Sequence, residues 1–185
     1  MATDSVAVML TVLVAVVSLD GCLTRHHDDG AGWASDADKQ HFASALAAAD
    51  VYLMGSATYS AARDDIRRRL DSGHRRVIIT RTPQKYADDT VAGQLEFTSE
   101  SPTEILDRMR AEGQVRCAVL GGGEIYNLFL AADAVDELQL TIEPRLFGSG
   151  KRLAGTSTAI DPALRLGQVE HLSDDTLLLT YRRAM

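Results

Sequence analysis

The sequence has two cysteines, four prolines, one tryptophan and no excess of positive charge, and each scarcity narrows the field. Cys22 and Cys117 are too few for the disulfide framework of a small secreted domain, and neither sits in a C-x-x-C pair or among histidines at metal-ligand spacing. Free thiols in a reducing, cytoplasmic setting are expected. With 26 acidic against 19 basic side chains the net charge is −7, which excludes general affinity for nucleic-acid phosphates. Arg67, Arg68, Arg69, Arg75, Arg76 and Arg81 do fall in one stretch, and most of them read as a solvated helix face and loop. No apolar run is long enough to span a bilayer. The longest, Val6 to Val17, has no preceding basic residue and no following small-residue cleavage pattern, so it reads as a buried strand rather than a signal-peptide core. Low-complexity tracts and repeats of solenoid period are also lacking. What is present, 45% hydrophobic and 24% charged residues in a chain of 185, suits one α/β domain covering 1–185 with a sizeable core.

The richest stretch runs from Cys117 to Leu130: an apolar strand, then Gly121, Gly122 and Gly123, then an amphipathic helix opening with Glu124, Ile125 and Tyr126. Two readings stand. The glycines could make an ordinary strand-to-helix turn, or they could let backbone lie against a ligand while the helix start offers unpaired N–H groups to an anion. The dinucleotide fingerprint G-x-G-x-x-G is absent.

Along the chain the first strand ends at Ser18-Leu19-Asp20-Gly21, a turn signal, and leads into a polar segment, Thr24 to Gly32, expected to be a mobile loop. Ser35 or Asp36 can cap a helix reaching about Ala49, with Phe42, Ala45, Leu46 and Ala49 at helical spacing. Asp38, four residues before Phe42, shares that apolar face and so points toward the interior or a cleft. Val51 to Met54 reads as a strand ended by Gly55, followed by a helix from Thr58 to Leu70; Arg76 to Thr80 reads as a third strand, stopped by Arg81-Thr82-Pro83. Leu95 to Thr98 is a weaker strand. Ser101-Pro102-Thr103-Glu104 then supplies a capping box for a helix to about Ala111. Cys117 to Leu120 and Glu137 to Ile142 complete the main strands, and Arg165 to His171 with Thr176 to Tyr181 reads as an antiparallel pair.

Strands alternating with helices imply a mostly parallel sheet, to which a C-terminal hairpin adds antiparallel strands. Ligands bind such sheets at the carboxyl ends of the strands, where Ser18 to Gly21, Gly55 to Thr58, Thr80-Arg81 and Gly121 to Tyr126 all fall.

These segments, in this order, resemble the dihydrofolate reductase superfamily, including the reductase domain of the bifunctional riboflavin-biosynthesis deaminase-reductase. The most specific pair is Gly121-Gly122-Gly123-Glu124-Ile125-Tyr126 with Val135-Asp136-Glu137-Leu138, supported by Gly148-Ser149-Gly150. The resemblance implies a three-layer αβα fold and an NADPH-dependent reductase. It implies a cis peptide in the glycine pair and a cofactor diphosphate held by Gly121, Gly122, Gly123, Glu124, Ile125 and Tyr126 on one side and Gly55, Ser56 and Thr58 on the other. Gly55-Ser56-Ala57-Thr58-Tyr59 stands where the family carries Gly-Arg-x-Thr-Tyr, so Ser56 replaces an arginine expected at the 2′-phosphate. Thr80 and Arg81 would take the adenosine end, with Arg81 able to supply the missing charge.

Trp33, Asp38 and Phe42 have the separations of the dihydrofolate reductase loop tryptophan, catalytic acid and ring-stacking phenylalanine. By that resemblance Asp38 is the acid and Trp33, Phe42 and Thr141 face the substrate. A buried carboxyl there could bind ring N–H groups and help deliver a proton, while an acid favoured by the helix dipole is the plainer reading. Asp20 could orient a ligand as a second catalytic carboxylate or make an Asx turn with Gly21. His74 occupies the place of the folate-tail arginine, with Arg75 one position off, and the prolines expected after Trp33 are missing. Ser18-Leu19-Asp20-Gly21 instead resembles the riboflavin-pathway reductases, although their Thr-x-x-x-Asp-x-Pro pattern is replaced by Thr58 to Asp65.

His26-His27-Asp28-Asp29 is a poor metal set because adjacent loop positions seldom converge, so no metal is expected. Lys151 follows Gly150 without the full phosphate-loop pattern, and neither H-x-E nor P-C-x-x-C occurs, which excludes zinc deamination. The reading is an NADPH-dependent reductase of a pteridine-like or ribosylaminopyrimidine substrate. A true dihydrofolate reductase and a non-catalytic nucleotide-binding module are the alternatives. The resemblance also implies a homodimer.

Overall fold

Near-continuous Val, Leu and Ile runs can be buried on both faces, and that makes them central strands of a sheet with helices on either side. The computed structural model describes residues 9–27, 30–153 and 160–184; Val6 to Val8 of the expected first strand, and Asp28 and Asp29, lie outside them. Twelve main elements follow in order: β1 (Leu10–Ser18), α1 (Asp36–Ala47), β2 (Val51–Gly55), α2 (Ser56–Arg68), β3 (Arg75–Ile79), β4 (Leu95–Thr98), α3 (Pro102–Ala111), β5 (Arg116–Val119), α4 (Gly123–Ala131), β6 (Glu137–Glu143), β7 (Leu164–His171) and β8 (Leu177–Arg183). Short 3-10 turns at Leu70–Ser72 and Pro83–Asp89 flank β3.

The strands form one sheet in the order β4-β3-β2-β5-β1-β6-β8-β7. Pairings from β4 to β6 are parallel, while β6–β8 and β8–β7 are antiparallel, so the expected C-terminal hairpin extends one edge. Period-two alternation sorts the side chains into two cores. Val12, Val14, Tyr52, Met54, Ile78 and Ala118 pack with Ala45 and Ala49 at α1 and Tyr59 of α2. Leu13, Leu53, Val77, Cys117 and Val119 pack on the other face with Ile105 and Met109 of α3 and Ile125 and Phe129 of α4. The result is the three-layer αβα arrangement.

The sharpest differences from the sequence reading are helix starts. α2 begins at Ser56 and α4 at Gly123, each two residues earlier than Thr58 and Ile125, because Gly55 and Gly122 themselves stand at the N-caps. No helix among the described residues is long and apolar enough to cross a membrane.

Candidate active site

The crevice follows from where the chain goes after each strand. β1 pairs with β5 only from Leu10 to Leu13, yet continues alongside β6 as far as Ser18 opposite Glu143. Beyond Val119 the chain instead follows β2: Leu120 N–H donates to the Leu53 carbonyl at 2.8 Å, and Gly55 N–H to the Gly121 carbonyl at 2.7 Å. After β1 the chain turns to α1 on one face, and after β5 to α4 on the other. Strand ends whose connections leave in opposite directions open a ligand crevice between them. Tyr126 reaches over it, its buried hydroxyl donating to the Val14 carbonyl at 2.7 Å.

One wall is backbone. The peptide between Gly121 and Gly122 is cis, and Gly121 has φ +96°. A Cβ on Gly121 would lie 2.8 Å from the Tyr126 ring, and one on Gly55 would lie 2.9 Å from Ile125, so both positions need glycine for close packing. α1 and α3 are capped by the Ser35 and Ser101 side chains, whereas α2 and α4 start at glycines with no side-chain cap. Their N–H groups open toward the same edge, and the two starts are joined through the Gly55–Gly121 hydrogen bond. Two uncapped helix ends side by side suit a diphosphate. Thr58 lies beside Gly122, whose Cβ would sit 3.5 Å from the threonine hydroxyl. Ser56 is half-buried at the first position of α2, and Glu124 is exposed on α4. Ile125 and Tyr126 turn their side chains into the core and give their N–H groups to the Gly122 carbonyl, so the N–H groups left for a ligand at this helix start are the earlier ones. Thr80 follows β3, its hydroxyl accepting from Thr82 N–H, and Arg81 beside it is exposed.

The opposite wall is acidic. Asp38, in the first turn of α1, is only 7% exposed, and the Thr141 side chain of β6 stands beside its carboxyl. Burial raises its pKa above the usual carboxylate value, and the nearby charge of Glu143 adds to this; Thr141, His41 and Lys39 act in the other direction. Burial lowers the proton affinity of His41, which the Asp38 and Glu170 charges partly restore. Phe42 stands at the rim, 38% exposed.

Asp20 is fully engaged: it accepts from the Ser18 hydroxyl at 2.6 Å and from the N–H groups of Gly148 and Phe147 at 2.7 and 3.2 Å. These donors, Ser18 first, hold its pKa well below the carboxylate range, and the carboxylate staples the 147–148 segment to the end of β1. The loop expected to be mobile is tied on one side, with Leu23 N–H donating to the Lys151 carbonyl and His26 N–H to Ser149. Trp33 donates its indole N–H to the Leu23 carbonyl and packs edge-on against Phe147. Thus Asp38 and Thr141 meet in the cleft, while Asp20 and Trp33 organise the loops above it. Of the run His26-His27-Asp28-Asp29, Asp28 and Asp29 lie outside the described residues; among the described residues no three His, Cys, Asp or Glu side chains gather as a metal site.

Glu143 and Ser35 were not singled out from the sequence as site residues. Glu143 is 2% exposed and accepts from Ser35 N–H at 3.0 Å and the Thr176 hydroxyl at 3.2 Å. The signal was available, because Thr141-x-Glu143 at strand spacing puts both side chains on the α1 face.

Comparison with known proteins agrees with this geometry. A chain of Acinetobacter baumannii RibD superposes with a TM-score of 0.76 at 18% identity, covering 97% of this chain and 59% of its own. A pyrimidine reductase-like protein from Corynebacterium diphtheriae also gives 0.76, at 16% identity, covering 96% of this chain and 92% of its own. The uncharacterized protein YwjB of Bacillus subtilis (strain 168) is 26% identical over 143 residues, which cover 76% of this chain and 79% of that protein. The RibD C-terminal domain model matches residues 10–178, a range that takes in the split between β1 and β5, the glycine wall and the antiparallel extension as far as the start of β8, and the chain belongs to the RibD C-terminal domain family.

Proposed function

We propose that the protein is an NADPH-dependent reductase acting on a ribosylaminopyrimidine or pteridine-like substrate. The observation that carries this is the pairing across one crevice of two uncapped helix starts with the buried Asp38–Thr141 pair. The residues fit the cofactor: a glycine backbone without side chains, N–H groups of α2 and α4 for the diphosphate, and Thr80 and Arg81 for the phosphorylated adenosine end. Bound there, the dihydronicotinamide would supply the hydride. Asp38 would accept a hydrogen bond from a ring N–H of the substrate or, when protonated, hold a proton at its carboxyl for the C=N or sugar group that takes the hydride. Thr141 beside it would help orient that carboxyl, and Phe42 at the rim would cover the ring.

The test is titration of NADPH and NADH against the single tryptophan's fluorescence, followed by cofactor oxidation with two substrates. Preferred NADPH binding and turnover of a ribosylaminopyrimidine phosphate are expected. Turnover of dihydrofolate alone would make the protein a dihydrofolate reductase; NADPH binding without any turnover would make it a nucleotide-binding module. No binding at near-millimolar cofactor defeats both reductase readings.

A homodimer and a cytoplasmic setting belong to the same proposal. Leu166 and Val169 on the edge strand β7 are 54% and 50% exposed and suit contact with a second copy, and both cysteines are free and buried. Size-exclusion with light scattering at micromolar protein checks the pairing, and a monomer would refute it.

A further inference from the structure

Glu143 is an ionisable side chain buried at the carboxyl end of β6, and its described partners, Ser35 N–H and the Thr176 hydroxyl, are both neutral donors. A carboxylate so placed is costly for stability alone, since a packed apolar residue would serve the sheet as well. Its location gives it another use. Ser35 is the N-cap of α1: its hydroxyl accepts from Asp38 N–H at 3.2 Å and its carbonyl from Lys39 N–H at 3.1 Å. Two residues earlier on the same face of β6, Thr141 lies beside the Asp38 carboxyl. β6 therefore holds the first turn of α1 at Glu143, whose side chain takes the Ser35 N–H, and faces the Asp38 carboxyl with Thr141.

We propose that Glu143 is the positioning residue for Asp38, fixing the first turn of α1 against the end of β6 and so fixing the carboxyl that the substrate meets. The role for Asp38 rests on the reductase reading; the positioning does not. The charge of Glu143 has a second effect through the same contact. Asp38 faces Lys39 and His41 on its own helix, Thr141 and Glu143 on β6, and the Tyr126 hydroxyl of α4, with Glu170 of β7 behind His41. Among these groups Glu143 favours the protonated form of Asp38, whereas Lys39, His41 and Thr141 favour the carboxylate.

Two variants separate reach from charge. Glu143→Asp keeps the charge but is one methylene short of Ser35, and Glu143→Gln keeps an oxygen acceptor but not the charge. Both are examined as ligand-free protein by amide exchange and by carboxyl-carbon NMR, with Asp38→Asn assigning the Asp38 signal. In Glu143→Asp the Ser35 and Asp38 amides should exchange about tenfold faster while β5 amides do not change. In Glu143→Gln those amides should stay within about twofold of wild type while the Asp38 midpoint moves to lower pH. Unchanged exchange at Ser35 and Asp38 in Glu143→Asp overturns the proposal, as does equal acceleration throughout the sheet. An unmoved Asp38 midpoint in Glu143→Gln overturns the charge effect. Because no ligand is used, these outcomes are independent of whether the protein proves to be a reductase.

Discussion

Replacing Asp38 by asparagine should stabilise the fold and impair its chemistry. Burial raises the pKa of Asp38 in the folded protein above its unfolded value of 3.8, so the native state holds the proton more tightly. Its effect on stability is therefore most favourable below the unfolded value and is lost as pH rises through the native one. At neutral pH Asp38→Asn should melt above wild type, the difference fading in acid, as a scan of Tm against pH would show. Turnover should fall by about a hundredfold or more, the scale of a lost acid–base group. If Arg81 takes the 2′-phosphate as proposed, Arg81→Ala should weaken NADPH about tenfold and leave NADH nearly unaffected; equal weakening of both would place Arg81 elsewhere on the nucleotide. Asp38 and Thr141 were readable in the sequence, one from its place on an apolar helix face and the other from the resemblance. Their closeness was not, since it depends on the distance between α1 and β6, which only packing sets.

Helix starts carry the element-scale argument. α1 and α3 satisfy their first N–H groups with serine side chains, as the Ser35 and Ser101 signals indicated. α2 and α4 do not, and their starts were placed two residues late because propensity treats glycine as a breaker whereas here it occupies the cap. Gly121→Ala should be destabilised by about 1–3 kcal/mol from the left-handed backbone and the contact with Tyr126, and should bind NADPH more weakly. Urea melts with cofactor titration test both halves. A second element-scale contact lies at the 3-10 turn Pro83–Asp89, which the sequence reading did not assign. Asp89 there receives the Arg63 guanidinium and the Tyr59 hydroxyl; these donors, Arg63 first, lower its pKa to about 2. The stability they contribute is present above 3.8 and disappears as pH falls through about 2. Asp89→Ala should thus cost about 1–3 kcal/mol at neutral pH by leaving those donors unpaired, measured by chemical denaturation, with the difference closing in strong acid.

At the scale of the molecule, strand order was the part least open to sequence reasoning. Alternating hydrophobic runs indicate a parallel sheet, but that β1 lies between β5 and β6 follows from long-range pairing that no local pattern encodes. That position has a mechanical consequence. Beyond Leu13 the ladder between β1 and β5 stops, leaving two half-sheets: β4-β3-β2-β5 bears the glycine wall, and β1-β6-β8-β7 bears Thr141 opposite Asp38. Past the last rung they are joined across the gap by the Tyr126 phenol on Val14. A cofactor lying on one half and a substrate on the other would act as the missing rungs. Binding both together should then slow exchange of the Val14 to Val17 amides more than the sum of each alone. The sheet would be finished only when loaded.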